Sequence, residues 1–270
     1  MQRGVVTPDG VRLHLDDGGG PGLPILFQHG LCGDAGQTRE AVPPDPRWRR
    51  LTLEMRGHGR SEAGDPSRFS IAAFADDLAR LIETLDLGPL VLGGISMGAA
   101  IALRLAVRRP DLLTGLVLAR PAWVIDPAPA NMAPNAEVGA LLAALPPEEA
   151  KAHFLAGATA ERLRREAPDN LASLQGFFAR EPLDVTAALL QAISADGPGV
   201  TREEVAALDL PVLVIGHKRD EVHPLAHAEA LARLIPGARL VQITPKASDK
   251  AAYVSDFHQA LGAFLEGFLP

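Results

Sequence analysis

Cysteine is nearly absent: Cys32 stands alone in 270 residues, which excludes an intrachain disulfide and fits a reducing compartment. No apolar stretch approaches the roughly 20 residues that a bilayer-spanning helix requires, so no membrane partner is expected. Residues 1–17 show neither a basic start nor an apolar run of the signal-peptide kind, which makes the cytoplasm the expected compartment. A basic tract is also missing. The 26 Lys and Arg residues are scattered along the chain and outnumbered by 33 Asp and Glu, for a formal charge of −7, so a nucleic-acid partner is not expected. Internal repeats and low-complexity tails are lacking as well.

What is present is enough for a large core. At 270 residues and 47% hydrophobic, the chain suits one α/β domain with an insertion. Val11 to Leu15 alternates apolar and polar residues as an edge hairpin strand does, and Gly18 to Gly22 supplies a turn before Ile25, Leu26 and Phe27. Short apolar runs at Arg50–Leu53, Leu90–Leu92, Leu116–Ala119, Val212–Ile215 and Leu240–Ile243 read as buried strands. Between them, Ile71, Phe74, Leu78, Leu81, Ile82 and Leu85 recur at helical spacing, and Tyr253, Phe257, Leu261, Phe264, Leu265 and Phe268 form a last apolar stripe. Strands alternating with helices imply a mostly parallel central sheet flanked by helices. The alternation stops between Pro121 and Leu208, an Ala-, Pro- and Glu-rich stretch of helical pattern. The expected organisation is therefore a core of residues 1–120 and 209–270 with a helical cap, 121–208, above the carboxyl ends of the strands.

The sharpest local signal is Gly94-Ile95-Ser96-Met97-Gly98, set between an apolar run and a helix. Glycines on both sides let backbone pass close to a residue in a tight strand-to-helix turn, where a serine hydroxyl becomes available as a nucleophile. Three further motifs stand in order around it: His29-Gly30-Leu31 after a strand, Arg56-Gly57-His58-Gly59-Arg60-Ser61 after another, and Pro211 to Pro224 with Asp220 in its loop. Together they resemble the α/β-hydrolase family, over about Val11 to Leu269. The resemblance implies Ser96 as nucleophile, the Leu31 and Met97 backbone N–H groups as oxyanion-hole donors, and Asp220 as the acid supporting a base. It implies a small-molecule substrate, with no cofactor and no metal, and leaves the oligomeric state open.

One element of the family pattern is missing. The base of the family is a histidine in the loop after the last strand, and here that loop reads Thr244-Pro245-Lys246-Ala247-Ser248-Asp249-Lys250. Two substitutes stand open: His223 on the acid loop, or Lys246 near the expected position if burial lowers its pKa. On the substrate side, Arg120 follows a strand and would form a cationic rim with Lys246 for an anionic group, or else pair with a cap carboxylate such as Asp126. Trp123 stands at the base of the cap as an apolar wall or as core. His29 either meets the substrate or holds its own loop. The expected activity is hydrolysis of a carboxylic ester or lactone, neutral or anionic, by an esterase or lactonase with an atypical base. The alternatives are a lyase or isomerase that uses the oxyanion hole for an enolate, and a non-catalytic small-molecule-binding pseudohydrolase.

Overall fold

The apolar runs form the centre of an eight-stranded sheet in the computed structural model, which describes residues 4–269. The strands are β1 (Gly4–Val6), β2 (Arg12–Asp17), β3 (Leu23–Gln28), β4 (Trp48–Leu53), β5 (Leu90–Ile95), β6 (Leu113–Ala119), β7 (Val212–Gly216) and β8 (Arg239–Gln242). Their order is β1-β2-β4-β3-β5-β6-β7-β8. The β1–β2 and β2–β4 pairs are antiparallel, and every pair from β4 through β8 is parallel. Strands β5 and β7 are buried along their whole length, as strands covered on both faces must be.

The two edges differ from the sequence expectation. The Val11–Leu15 alternation belongs to β2, which lies inside the sheet; the edge is β1, too short to leave a periodic signal. At the other end, β8 is largely exposed because only β7 pairs with it, whereas an apolar run alone suggests burial.

Helices cover both faces. The first is α1 (Ala35–Ala41), followed by α2 (Ile71–Thr84) and α3 (Met97–Arg108). Ser70 opens α2 by accepting from the Ala73 N–H at 3.0 Å, and the buried side chains of this helix include the predicted Ile71, Phe74, Leu78, Leu81 and Ile82. Between β6 and β7 run α4 (Ala133–Ala144), α5 (Pro147–Ala156), α6 (Ala158–Glu166), α7 (Pro168–Phe177), α8 (Leu183–Ala195) and α9 (Arg202–Ala206), with no strand among them. After β7 come α10 (Leu225–Leu234) and α11 (Lys250–Leu265). Asp249 caps α11 through the Ala252 N–H, and Tyr253, Phe257, Leu261 and Leu265 bury its apolar stripe. No helix among the described residues is long and apolar enough to cross a membrane.

Candidate active site

Ser96 stands between β5 and α3 with φ 56° and ψ −112°, a left-handed backbone that costs a non-glycine residue about 1–3 kcal/mol. The surroundings enforce it. A Cβ at Gly94 would lie 2.2 Å from the Gly98 carbonyl carbon, and one at Gly98 would lie 2.5 Å from the Gln28 carbonyl oxygen. Only glycine at both positions lets α3 start this close to β3 and β5. A serine at a helix N-cap usually accepts from the first turn, but the Ser96 hydroxyl makes no capping bond. No side chain among the described residues hydrogen-bonds to it. The hydroxyl is left to a cavity of about 280 Å³ whose wall includes Ser96, Leu31, Arg120, Asn135, His223 and Lys246.

The loop after β3 brings the expected oxyanion donor to this cavity. Leu31 is on the wall, and a Cβ on Gly30 would come within 3.5 Å of the Ser96 Cβ. Neither the Leu31 nor the Met97 N–H has an acceptor among the described residues. The loop is fixed from three sides. Gln37 on α1 accepts the Gly30 N–H at 2.6 Å, and His58 Nε2 accepts the Cys32 N–H at 3.0 Å. From the helical segment between β6 and β7, Arg180 donates to the Cys32 carbonyl at 3.1 Å and to the Gly57 carbonyl at 2.6 Å. Burial pushes the Cys32 thiol up to about 12, so it stays protonated and is no rival nucleophile.

His29 is fully buried and is not on the cavity wall. Its Nδ1 pairs with the Gly30 carbonyl at 2.9 Å and its Nε2 accepts the Met55 N–H at 3.1 Å, so it ties the two loops together. Trp123 is likewise buried off the wall, donating from Nε1 to the Asp196 carbonyl at 2.9 Å.

The acid loop is the most heavily bonded part of the site. Asp220 Oδ1 accepts from the His223 N–H at 3.0 Å, from Asn170 Nδ2 at 2.9 Å and from His223 Nδ1 at 2.9 Å. Its Oδ2 accepts from Arg120 Nη2 at 2.6 Å and Nε at 3.0 Å. Burial alone would raise the Asp220 pKa, but the Arg120 and His223 charges and donors outweigh it and hold the carboxyl well below its ordinary value. Arg120 Nη2 also comes within 3.2 Å of His223 Nδ1. The two carboxylate contacts of Nδ1, at 2.9 and 3.0 Å, are shorter than the Arg120 contact and favour the tautomer in which Nδ1 carries the proton and Nε2 keeps a lone pair. Burial lowers the His223 pKa, with Asp220 opposing, so the ring is neutral at neutral pH.

The rim role expected of Arg120 is thereby changed. It touches the cavity, but its guanidinium is committed to Asp220 rather than to a cap carboxylate or to solvent. Of the two cations on the wall, Lys246 has no carboxylate partner among the described residues. Sequence reasoning missed Asn170, whose Oδ1 also accepts the Glu221 and Val222 N–H groups at 2.7 and 3.1 Å. It also missed His217, buried with its Nε2 3.5 Å from Asp220 Oδ2. Both are set by tertiary packing and belong to no short motif.

Two predictions follow from these charges. Arg120→Met leaves a buried carboxylate without its cation, which costs about 3–5 kcal/mol; chemical unfolding should show that loss. The second concerns acid. Burial lowers the pKa of His29 and His58 in the folded state, whereas the unfolded chain protonates near its ordinary value of about 6.5. Stability is then fully present above that pH and falls below it, as the unfolded chain takes up protons the folded one refuses. Urea midpoints should drop between pH 7 and 5, and a flat profile would contradict the neutral assignment.

A parallel-stranded core, an elbow serine, free backbone donors beside it and, on the same cavity wall, an imidazole bonded to a buried carboxylate define a class. Residues 24–247 match the model of the alpha/beta hydrolase fold, and the chain belongs to that family. Among curated relatives, it is similar to the sn-1-specific diacylglycerol lipase ABHD11 of Mus musculus, 31% identical over 96% of this chain and 86% of that protein. It is also similar to a putative non-heme bromoperoxidase, BpoC, of Mycobacterium tuberculosis, 32% identical over 86% of this chain and 89% of the other. Among solved structures, the enol-lactonase of Burkholderia xenovorans LB400 superimposes with a TM-score of 0.72 at 26% identity, over 95% of this chain and 97% of that one.

Proposed function

We propose that the protein is a serine hydrolase of small carboxylic esters or lactones in which His223, on the loop after β7, takes the place of the histidine missing from the loop after β8. The observation that carries this reading is the Asp220–His223 pair, with Nδ1 bonded to the carboxylate and the ring on the cavity wall that also holds Ser96. In this mechanism Ser96 Oγ attacks the substrate carbonyl carbon while His223 Nε2 takes the hydroxyl proton. The carbonyl oxygen becomes an oxyanion held by the Leu31 and Met97 N–H groups. Collapse breaks the bond to the leaving alkoxide, which receives the proton from His223; water, deprotonated by the same nitrogen, then cleaves the acyl-enzyme. In a lactone the leaving hydroxyl stays on the released acid. The imidazole and the serine are not hydrogen-bonded to each other here, and catalytic bonds of this kind are often long until substrate closes them.

Lys246 is then the cation of the cavity rather than its base. The wall carries Lys246 and Arg120 and no Asp or Glu side chain, which favours a substrate with a negative group. The same likeness to a lipase and an enol-lactonase supports carbonyl hydrolysis.

The direct test is turnover of a panel of short-chain nitrophenyl esters and five- and six-membered lactones, with intact-mass detection of an acyl-enzyme. Hydrolysis of at least one class, with acyl mass on the protein, is expected. Absence of both across the panel would overturn the reading.

A further inference from the structure

Three asparagines of the helical segment stand close to the acid loop, and the amide N–H groups of two are spent on hydrogen bonds. Asn170 spends both ends of its amide on the acid loop, and Asn131 donates to the Ala122 and Val222 carbonyls at 2.9 and 2.7 Å. Asn135 is the exception. It is 5% exposed and on the cavity wall, yet its Oδ1 is buried without a partner and no bond is made by its Nδ2 among the described residues. Of the buried side-chain atoms without a partner among the described residues, only Asn135 Oδ1 belongs to a residue of the cavity wall, and such an atom calls for an explanation.

Its position adds a second feature. Asn135 is the third residue of α4, a 12-residue helix whose N-cap, Met132, offers no side-chain acceptor and whose second residue is Pro134. The partial positive charge of that helix end is therefore not offset by a capping side chain. Lys246 is on the same wall, and no carboxylate is. An unspent amide donor and an unpaired ammonium on one wall favour the same chemical group.

Resting on the hydrolase reading, we infer that Asn135 is a specificity-determining residue: its amide Nδ2, together with the Lys246 ammonium, holds a carboxylate carried by the substrate. The substrates are then half-esters of short dicarboxylic acids, or lactones bearing a free carboxylate. The orphaned Oδ1 is the stability given up to keep the donor in place.

The test uses two nitrophenyl esters that release the same leaving group, mono-4-nitrophenyl glutarate and 4-nitrophenyl pentanoate. Wild type should prefer the charged ester, and Asn135→Leu should lower the glutarate-to-pentanoate ratio of kcat/KM at least tenfold, mainly through KM. Asn135→Asp, which adds a like charge, should lower it further. Thermal unfolding provides the control: Asn135→Leu removes an unpaired buried amide and should melt no lower than wild type, whereas a structural asparagine would lower the melting temperature. Should Asn135→Leu not fold, Asn135→Ser answers the same question. Equal changes for both esters, or a wild type indifferent to the carboxylate, would overturn the subsite. Calorimetric titration of wild type with glutarate is read independently of turnover. Glutarate binding that weakens tenfold in Asn135→Leu supports the subsite even if no ester is cleaved, and the hydrolase reading alone then fails. Undetectable glutarate binding by wild type overturns the subsite even if the pentanoate ester is cleaved.

Discussion

Ser96→Ala is expected to lower kcat for a small ester by about 10⁴- to 10⁶-fold, the range seen when the nucleophile of a serine hydrolase is removed. At about 1.4 kcal/mol per factor of ten, that is roughly 5–8 kcal/mol of transition-state stabilisation. The fold should tolerate the change. The hydroxyl has no bond to lose, and the glycines that force the left-handed turn are untouched. Alanine still bears the backbone strain that serine bears, so unfolding midpoints should move little. Stopped assays and circular dichroism on the same sample separate the two effects. Turnover that survives in Ser96→Ala would assign the chemistry to another group.

His223→Gln should be the next largest loss, about 10³-fold or more in kcat, because glutamine can still donate to Asp220 but cannot take a proton. Lys246→Met should cost much less on a neutral ester if lysine serves only as a cation. Burial lowers the His223 pKa, so the acid limb of kcat/KM should fall below pH 6.5, the ordinary histidine value. Arg120 contributes to that lowering, and an Arg120→Met protein that retains turnover should show the limb shifted upward. Added imidazole should restore part of the activity of His223→Ala, since the cavity beside Ser96 would then admit the missing ring.

The sheet and its main crossover helices were legible because their apolar periods are long and unbroken: α2 and α11 fall where Ile71–Leu85 and Tyr253–Phe268 place them. The edges were less so. A three-residue strand such as β1 has no period to read, and β8 is an apolar run that tertiary context leaves exposed. The elbow was legible at Ser96 because two glycines fix its geometry locally. The pairing of His223 with Asp220 was not, since it depends on how a four-residue turn after β7 aims a ring at the carboxylate of its own first residue. That turn closes through the His223 N–H on Asp220 Oδ1, a bond no spacing rule announces. The same holds for Arg120, whose partner is 100 residues away, and for Asn135, whose significance lies in bonds it does not make.

The assignment of His223 as the group that activates Ser96 is tested most directly by the rate at which a neutral fluorophosphonate labels Ser96, followed by peptide mass mapping at pH 7.5. Wild type should label at Ser96, His223→Gln should label at least 100-fold more slowly, and Lys246→Met should slow by less than tenfold. The opposite order, with Lys246→Met inert and His223→Gln labelled at nearly the wild-type rate, would contradict the account.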